Sequence, residues 1–194
     1  MICGLVLAAG EGTRFGSQPK LLAELDGRPL VEHAIRAQCS VPKLERVLVV
    51  LGAHAEEIER RVDFGRAQPV VFEGWREGQS ASLRCGVEGL FGGHGATKVI
   101  VTLGDQPLMT PELIARFVQE PPGARAVYGG RPGHPVVLGP EHYRQIALIT
   151  GDRGARDLLR GGPTVECGEL GDRARDVDTP EDLGRIRNEA RAVV

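Results

Sequence analysis

The chain has 194 residues, 41% hydrophobic and 26% charged, with a net charge of −2 at neutral pH. The length suits one domain spanning residues 1–194 with a full core, and the balance excludes a general nucleic-acid binder. No apolar run approaches the length of a membrane span, and the N-terminus lacks the basic flank of a signal peptide. With four widely spaced cysteines (Cys3, Cys39, Cys85 and Cys167) and no C-x-x-C pair, the expectation is a cytoplasmic protein whose thiols are small buried hydrophobes.

Strand-like and helix-like runs alternate along the chain. Met1 to Leu7 is a short apolar run fit for one buried strand. A glycine-rich stretch follows, and then Leu30 to Gln38 shows helical spacing. Arg46 to Leu51 is continuously apolar, as a central parallel strand should be. Ala55 to Val62 reads as a short charged helix, Pro69 to Phe72 as a strand, and Ser80 to Phe91 as a helix with Ser80 or Ser82 as N-cap. Lys98 to Leu103 is the fourth strand. Thr110-Pro111-Glu112 sets an N-cap, a proline at the first helical position and an acid in the first turn, opening a helix to Val118. Ala124 to Tyr128 and Pro135 to Leu138 read as strands around a Gly/Pro-rich turn. Helices over Pro140–Ile149 and Gly154–Leu159, strands over Thr164–Cys167 and Arg175–Val177, and a capped last helix to Arg191 complete the pattern. Such alternation predicts an α/β fold: a mostly parallel sheet with helices on both faces, in a single domain.

The stretch Leu7 to Lys20, LAAGEGTRFGSQPK, carries the first chemical signal. Gly10, Gly12 and Gly16 allow tight turns and close approach of a ligand. Successive N–H groups leaving a strand form an anion-binding concavity. Arg14 and Lys20 add the positive charge that a triphosphate needs. The spacing fails the P-loop pattern, because Gly16 precedes Ser17 and Lys20 precedes Leu21. It nearly fits the dinucleotide pattern, but Phe15 holds the third glycine position. The second strand also ends in Gly52-Ala53-His54, without an acid for a ribose.

Asp105 follows an apolar strand at the sheet end where ligands bind in such folds. It is a candidate Mg²⁺ ligand beside a triphosphate and equally a turn residue before Pro107. Asp176 and Asp178 flank Val177; on a strand both carboxylates would share one side, unless Asp178 or Thr179 caps the last helix. Gln79, Ser80 and Ser82 offer an amide and hydroxyls to a nucleobase or ribose, or simply begin a helix. Trp75 stacks on a ring or covers the core. His134 and the turn holding Arg153 and Arg156 are candidates for a second, anionic substrate, or structural residues.

The blocks LAAGEGTRFGSQPK, WREGQSASLRCG, LGDQP, GHPV, GDRGAR and DVDTPEDL, in this order, resemble the molybdenum-cofactor nucleotidyltransferases, nearest their cytidylyltransferase branch. The resemblance covers nearly the whole chain. It implies a Rossmann-like fold and Mg²⁺-dependent transfer of CMP from CTP to a phosphate-bearing pterin acceptor, with a molybdoenzyme as recipient. Leu7, Ala8, Ala9, Gly10, Gly12 and Lys20 would hold the nucleotide. Asp105 and Asp178 would hold the metal. Guanylyltransferase relatives tend to have a second glycine where this chain has Ala9, which tilts the expectation toward CTP. Phe15 departs from the Met common in relatives, an apolar exchange. Transfer from another nucleotide, NAD(P)H-linked redox chemistry and non-catalytic cofactor carriage stand as alternatives.

Overall fold

The computed structural model describes residues 1–148, 151, 155–168 and 175–192. A seven-stranded sheet forms the middle layer. Its strands are β1 (Ile2–Ala8), β4 (Arg46–Leu51), β5 (Gln68–Val71), β6 (Lys98–Leu103), β7 (Arg125–Tyr128), β8 (Arg131–Leu138) and β9 (Thr164–Glu166), in the order β5-β4-β1-β6-β8-β7-β9. The block β5-β4-β1-β6 is parallel throughout, β8 runs antiparallel to both neighbours, and β9 pairs parallel with β7. A separate two-stranded hairpin, β2 (Glu24–Leu25) and β3 (Arg28–Pro29), follows the glycine stretch.

Both sheet faces are buried, as the continuous apolar runs require. Val6 and Ala8 of β1, Val49 and Leu51 of β4 and Ile100 of β6 join one core cluster. Helices α1 (Leu30–Cys39), α2 (Ala55–Arg61) and α4 (Pro111–Gln119) cover that face with Ile35, Ile58 and Phe117. The alternate residues Leu5, Leu7, Val50 and Val101 pack on the other face under α3 (Gln79–Val87), α5 (Pro140–Ile146) and α6 (Ala155–Leu158). The period of two along each strand thus distributes side chains between two cores. A third, smaller cluster lies at one end of the molecule. There α7 (Pro180–Ala192) presses Leu183 and Ile186 onto Phe15, Leu25, Leu30 and Val177.

The structure departs from the sequence reading in several places. Arg175–Val177 forms no strand. Val177 makes one backbone bond, its N–H to the Asp105 carbonyl at 2.9 Å, and is buried in the third cluster. Strand β8 starts at Arg131 instead of Pro135, accommodating Pro132 and Pro135 beside β7 through a register shift at Arg125/Ala126. The β2–β3 hairpin was not foreseen, although Asp26-Gly27, both at positive φ (49° and 75°), is the two-residue turn such hairpins favour. Neither Ser80 nor Ser82 caps α3, because Gly78 occupies that position. Cys3 and Cys167 are buried, while Cys39 and Cys85 are only half-buried. No helix among the described residues is long and apolar enough to cross a membrane.

Candidate active site

Sheet order places the site. The chain leaves β1 toward β4 on one side and later returns to β6 on the other, so the crevice opens between the carboxyl ends of β1 and β6. The glycine stretch leaves one of those ends and Asp105 leaves the other. Gly104 N–H bonds the Leu7 carbonyl at 2.9 Å, and Ala53 N–H bonds the Ala9 carbonyl at 3.1 Å. These bonds fix the base of the loop to both neighbouring strand ends.

Beyond Gly10 the loop turns sharply. Gly12 has φ 66°, in the left-handed region, and opens a single 3₁₀ turn, Thr13–Phe15. Phe15 drives its ring into the third cluster and is only 8% exposed. A second 3₁₀ turn, Lys20–Leu22, follows Pro19. The two turns fold onto each other so that Lys20 lies beneath Gly12. A lysine in a glycine-rich loop is ordinarily exposed, but Lys20 is buried, 8% exposed. The absent Gly12 side chain makes room for its stem, and two carboxylates hold its head.

Lys20 Nζ lies 2.6 Å from Asp105 Oδ2 and 3.1 Å from Asp178 Oδ1. Arg14 donates to the other Asp178 oxygen at 2.9 Å. Burial alone would lower the pKa of the Lys20 ammonium; Asp105, then Asp178, outweigh it and hold it above the ordinary lysine value. Asp178 is free for this role because the last helix is capped by others. The Asp182 N–H bonds Thr179 Oγ1 at 3.2 Å, and the Thr179 N–H returns to Asp182 Oδ2 at 2.9 Å. This is a reciprocal capping box with Asp in place of Glu.

Arg175–Val177 is not a strand, so the shared strand face expected for Asp176 and Asp178 does not arise; the Asp176 carboxyl still lies near enough to Asp105 and Asp178 to feel their charge. It accepts a hydrogen bond from Gln106 Nε2 at 2.8 Å. The residue is exposed, yet desolvation of its carboxyl, with Asp105 nearby, pushes its pKa up to about 6.

A cleft of about 450 Å³ lies against this charge cluster. Leu7, Ala9, Gly10, Gly12, Gln79, Ser82 and Asp105 line it, as do Glu11, Thr13, Trp75, Arg76, Gly78 and Leu103. Ala8 and Ser80 are buried and do not line it. His134 is also buried; it lies on β8, where the pairing of Val101 with Val136 carries it toward the Leu103 end of β6. Arg156 falls in α6, and Arg153 lies outside the described residues. Sequence reasoning missed Arg76 and Thr13 as lining residues. It also missed Phe15 and Val177 as the packing that ties Arg14 and Asp178 to one small core. The available signal was their position, each apolar and adjacent in sequence to a charged candidate.

The donor set can be tested for a divalent ion. Asp105 Oδ1 is buried and has no hydrogen-bond partner, and a second carboxylate, Asp178, converges on the same ammonium. No group of three or more His, Cys, Asp or Glu suited to a metal occurs among the described residues. Two carboxylates with an unfilled oxygen fit a divalent ion that would take its remaining ligands from phosphate and water.

Comparison with known proteins bears on the family and the fold. Residues 4–169 match the MobA-like NTP transferase domain. Nicotine blue oxidoreductase of Paenarthrobacter nicotinovorans is 32% identical over 200 residues, spanning 95% of this chain and 96% of that protein. The bifunctional protein GlmU of Rhodospirillum rubrum is 38% identical over 161 residues, 80% of this chain but 33% of GlmU. The crystal structure of Rv0371c from Mycobacterium tuberculosis H37Rv superposes with a TM-score of 0.82 at 25% identity, covering 96% of this chain and 97% of that one. The same protein in complex with manganese superposes at 0.77 and 24% identity, covering 96% and 98%. With its Rossmann-like sheet, its family match over most of its length and a full-length relative at 32% identity, the chain belongs to the MobA-like NTP transferase family of nucleotidyltransferases.

Proposed function

We propose that the protein transfers CMP from CTP to a phosphate-bearing acceptor, a molybdopterin-type pterin, releasing pyrophosphate. The observation that carries this reading is the convergence of Lys20, Asp105, Asp178 and Arg14 beside a glycine-loop cleft. In the reaction an acceptor phosphate oxygen attacks the α-phosphorus of CTP, and the bond to the β-phosphate bridging oxygen breaks. The protein's work is positioning and charge neutralisation, with no protein nucleophile.

The backbone of Gly10 to Thr13 cradles the triphosphate. Lys20 and Arg14 turn from carboxylates toward phosphate oxygens and offset the charge that accumulates on pyrophosphate. Asp105 and Asp178 would hold Mg²⁺, which would supply positive charge to the triphosphate when bound. Gln79 and Ser82, which line the cleft, would meet the nucleoside. Ala9 at the strand end favours the pyrimidine nucleotide, by resemblance to the cytidylyltransferase branch. The finished cofactor would pass to a molybdoenzyme.

Pyrophosphate release with CTP, GTP, ATP and UTP, each with a pterin acceptor and Mg²⁺, tests the reading. CTP should support the fastest release. Faster release with GTP would overturn the cytidylyl assignment and leave the transferase class standing.

A second reading has one specific support: the full-length relative whose name is that of an oxidoreductase. Against it, β4 is followed by Gly52, close against the loop and Trp75, and by Ala53, bonded to the loop, with no acid for a ribose. Oxidation of NADH or NADPH by the purified protein, followed at the nicotinamide absorbance, would favour that reading.

A further inference from the structure

The two walls of the cleft differ in chemistry. One wall is the glycine loop, with Arg14 and Lys20 behind it, both ion-paired to carboxylates. The other runs from Trp75 to Ser82. On that second wall the Arg76 guanidinium lies over the Trp75 ring, 4.3 Å from its centroid. Trp75 is fixed in turn. It packs half-buried on the core beneath α3, and a Cβ on Gly52 would stand 2.6 Å from its own Cβ. Among the described residues Arg76 has no carboxylate partner, and neighbouring Glu77 reaches Arg84 at 3.5 Å.

A guanidinium laid on an indole uses its face for that contact and keeps its edge donors free in a fixed fork. The triphosphate has its own partners on the opposite wall. The fork on the Trp75 side is therefore placed for the base, on the wall that Gln79 also lines. A planar fork of donors matches two adjacent acceptors. Cytosine offers O2 and N3, and guanine offers O6 and N7. Uracil carries N–H at N3, and adenine sets an amino group beside N7, so each would oppose donor to donor.

We infer that Arg76, backed by Trp75, is the residue that reads the nucleobase, selecting a base with two adjacent acceptors against uracil and adenine. This rests on the reading of the cleft as a nucleoside-triphosphate site.

Calorimetric titration of the full chain with CTP, GTP, UTP, ATP and inorganic tripolyphosphate tests it, using wild type, Arg76→Ala and Arg76→Lys. Trp75 is the only tryptophan in the chain, so its fluorescence gives an independent report of cleft occupancy in the wild type. Wild type should bind CTP or GTP about tenfold or more tighter than UTP and ATP, the discrimination expected of one bidentate contact. Arg76→Ala should lose most of that preference. Arg76→Lys, which keeps the charge without the fork, should not restore it. Tripolyphosphate binding should stay within about threefold in every variant, a readout that simple misfolding would not spare. An unchanged preference in Arg76→Ala overturns the inference. So does equal weakening of all nucleotides and tripolyphosphate, which marks a phosphate contact. Equal wild-type affinity for all four nucleotides overturns it while leaving the nucleotide cleft standing. No nucleotide binding to wild type overturns the cleft reading itself.

Discussion

A Cβ placed on Gly12 would lie 2.7 Å from the Cβ of Lys20. Gly12 is also at φ 66°, where any other L residue is strained. The glycine therefore serves Lys20, holding open the space through which a buried ammonium reaches two carboxylates. Gly12→Ala should lower stability by about 1–2 kcal/mol from backbone strain, with further loss from the crowded lysine stem. Turnover should fall in the same variant, because Lys20 moves. Gly10 is the contrast: a Cβ there meets nothing within 4 Å, though it lines the cleft. Gly10→Ala should keep its melting temperature, with a stability change within about half a kcal/mol, and lose nucleotide affinity. Equal melting losses in the two variants would remove the distinction.

Lys20 sits between Asp105 and Asp178, so its removal strands two carboxylates near one another. Breaking a buried pair costs about 3–5 kcal/mol. Asp178 keeps 29% of its side chain exposed, so solvent screening should bring the loss to about 1–3 kcal/mol for Lys20→Ala. If Lys20 meets developing phosphate charge, turnover should also fall by about a hundredfold or more. Chemical denaturation and single-turnover rates separate the two effects. Unchanged activity in a destabilised variant would make Lys20 purely structural.

The third core cluster links parts that are distant in sequence. Phe15 neighbours Arg14, Val177 neighbours Asp178, and both pack with Leu183 and Ile186 of α7. Phe15→Ala should cost about 3 kcal/mol by cavity formation, and Phe15→Leu less than about 1.5 kcal/mol. At temperatures where Phe15→Ala remains folded, its metal requirement should rise, because Arg14 and Asp178 lose their common support. A destabilised variant with the wild-type metal requirement would confine the cluster to a stabilising role.

The middle of the sheet was legible because its central strands are buried on both faces. Runs such as Arg46–Leu51 and Lys98–Leu103 declare themselves without help from distant residues. The glycine loop was legible by glycine spacing, and the α4 cap by Thr110 and Pro111. Burial of Lys20 was not legible. It depends on Gly12, Asp105 and Asp178 meeting in space, and a lysine after proline carries no local mark of that. The absence of a strand at Arg175–Val177 has the same origin, since Val177 is committed to the third cluster and to the Asp105 carbonyl. The Asp26-Gly27 turn was legible in principle, but strands of two residues are too short for alternation to show. Arg76 carries no local mark of its place, because an arginine laid on a tryptophan is not established by sequence adjacency alone.

The metal gives the sharpest prediction for the two aspartates. Asp105 has one oxygen on Lys20 and the other buried without a hydrogen-bond partner. Asp178 has both oxygens engaged, one by Lys20 and one by Arg14. A divalent ion therefore gains more from Asp105, whose unfilled oxygen needs no exchange of partners. Asp105→Asn should remove most activity and raise the Mg²⁺ concentration required. Asp178→Asn should do less of both, because phosphate and water can replace one ligand. Thermal shift provides a readout independent of turnover. With CTP present, Mg²⁺ or Mn²⁺ at about a hundredfold above its dissociation constant should stabilise the wild type by about 2.7 kcal/mol. Asp105→Asn should lose most of that metal-dependent increment, and Asp178→Asn should retain part of it. If both variants keep the full increment, the ion is held elsewhere and the shared-metal arrangement is wrong. If Asp178→Asn is the more damaging of the two, the order of importance argued from the unfilled Asp105 oxygen is reversed.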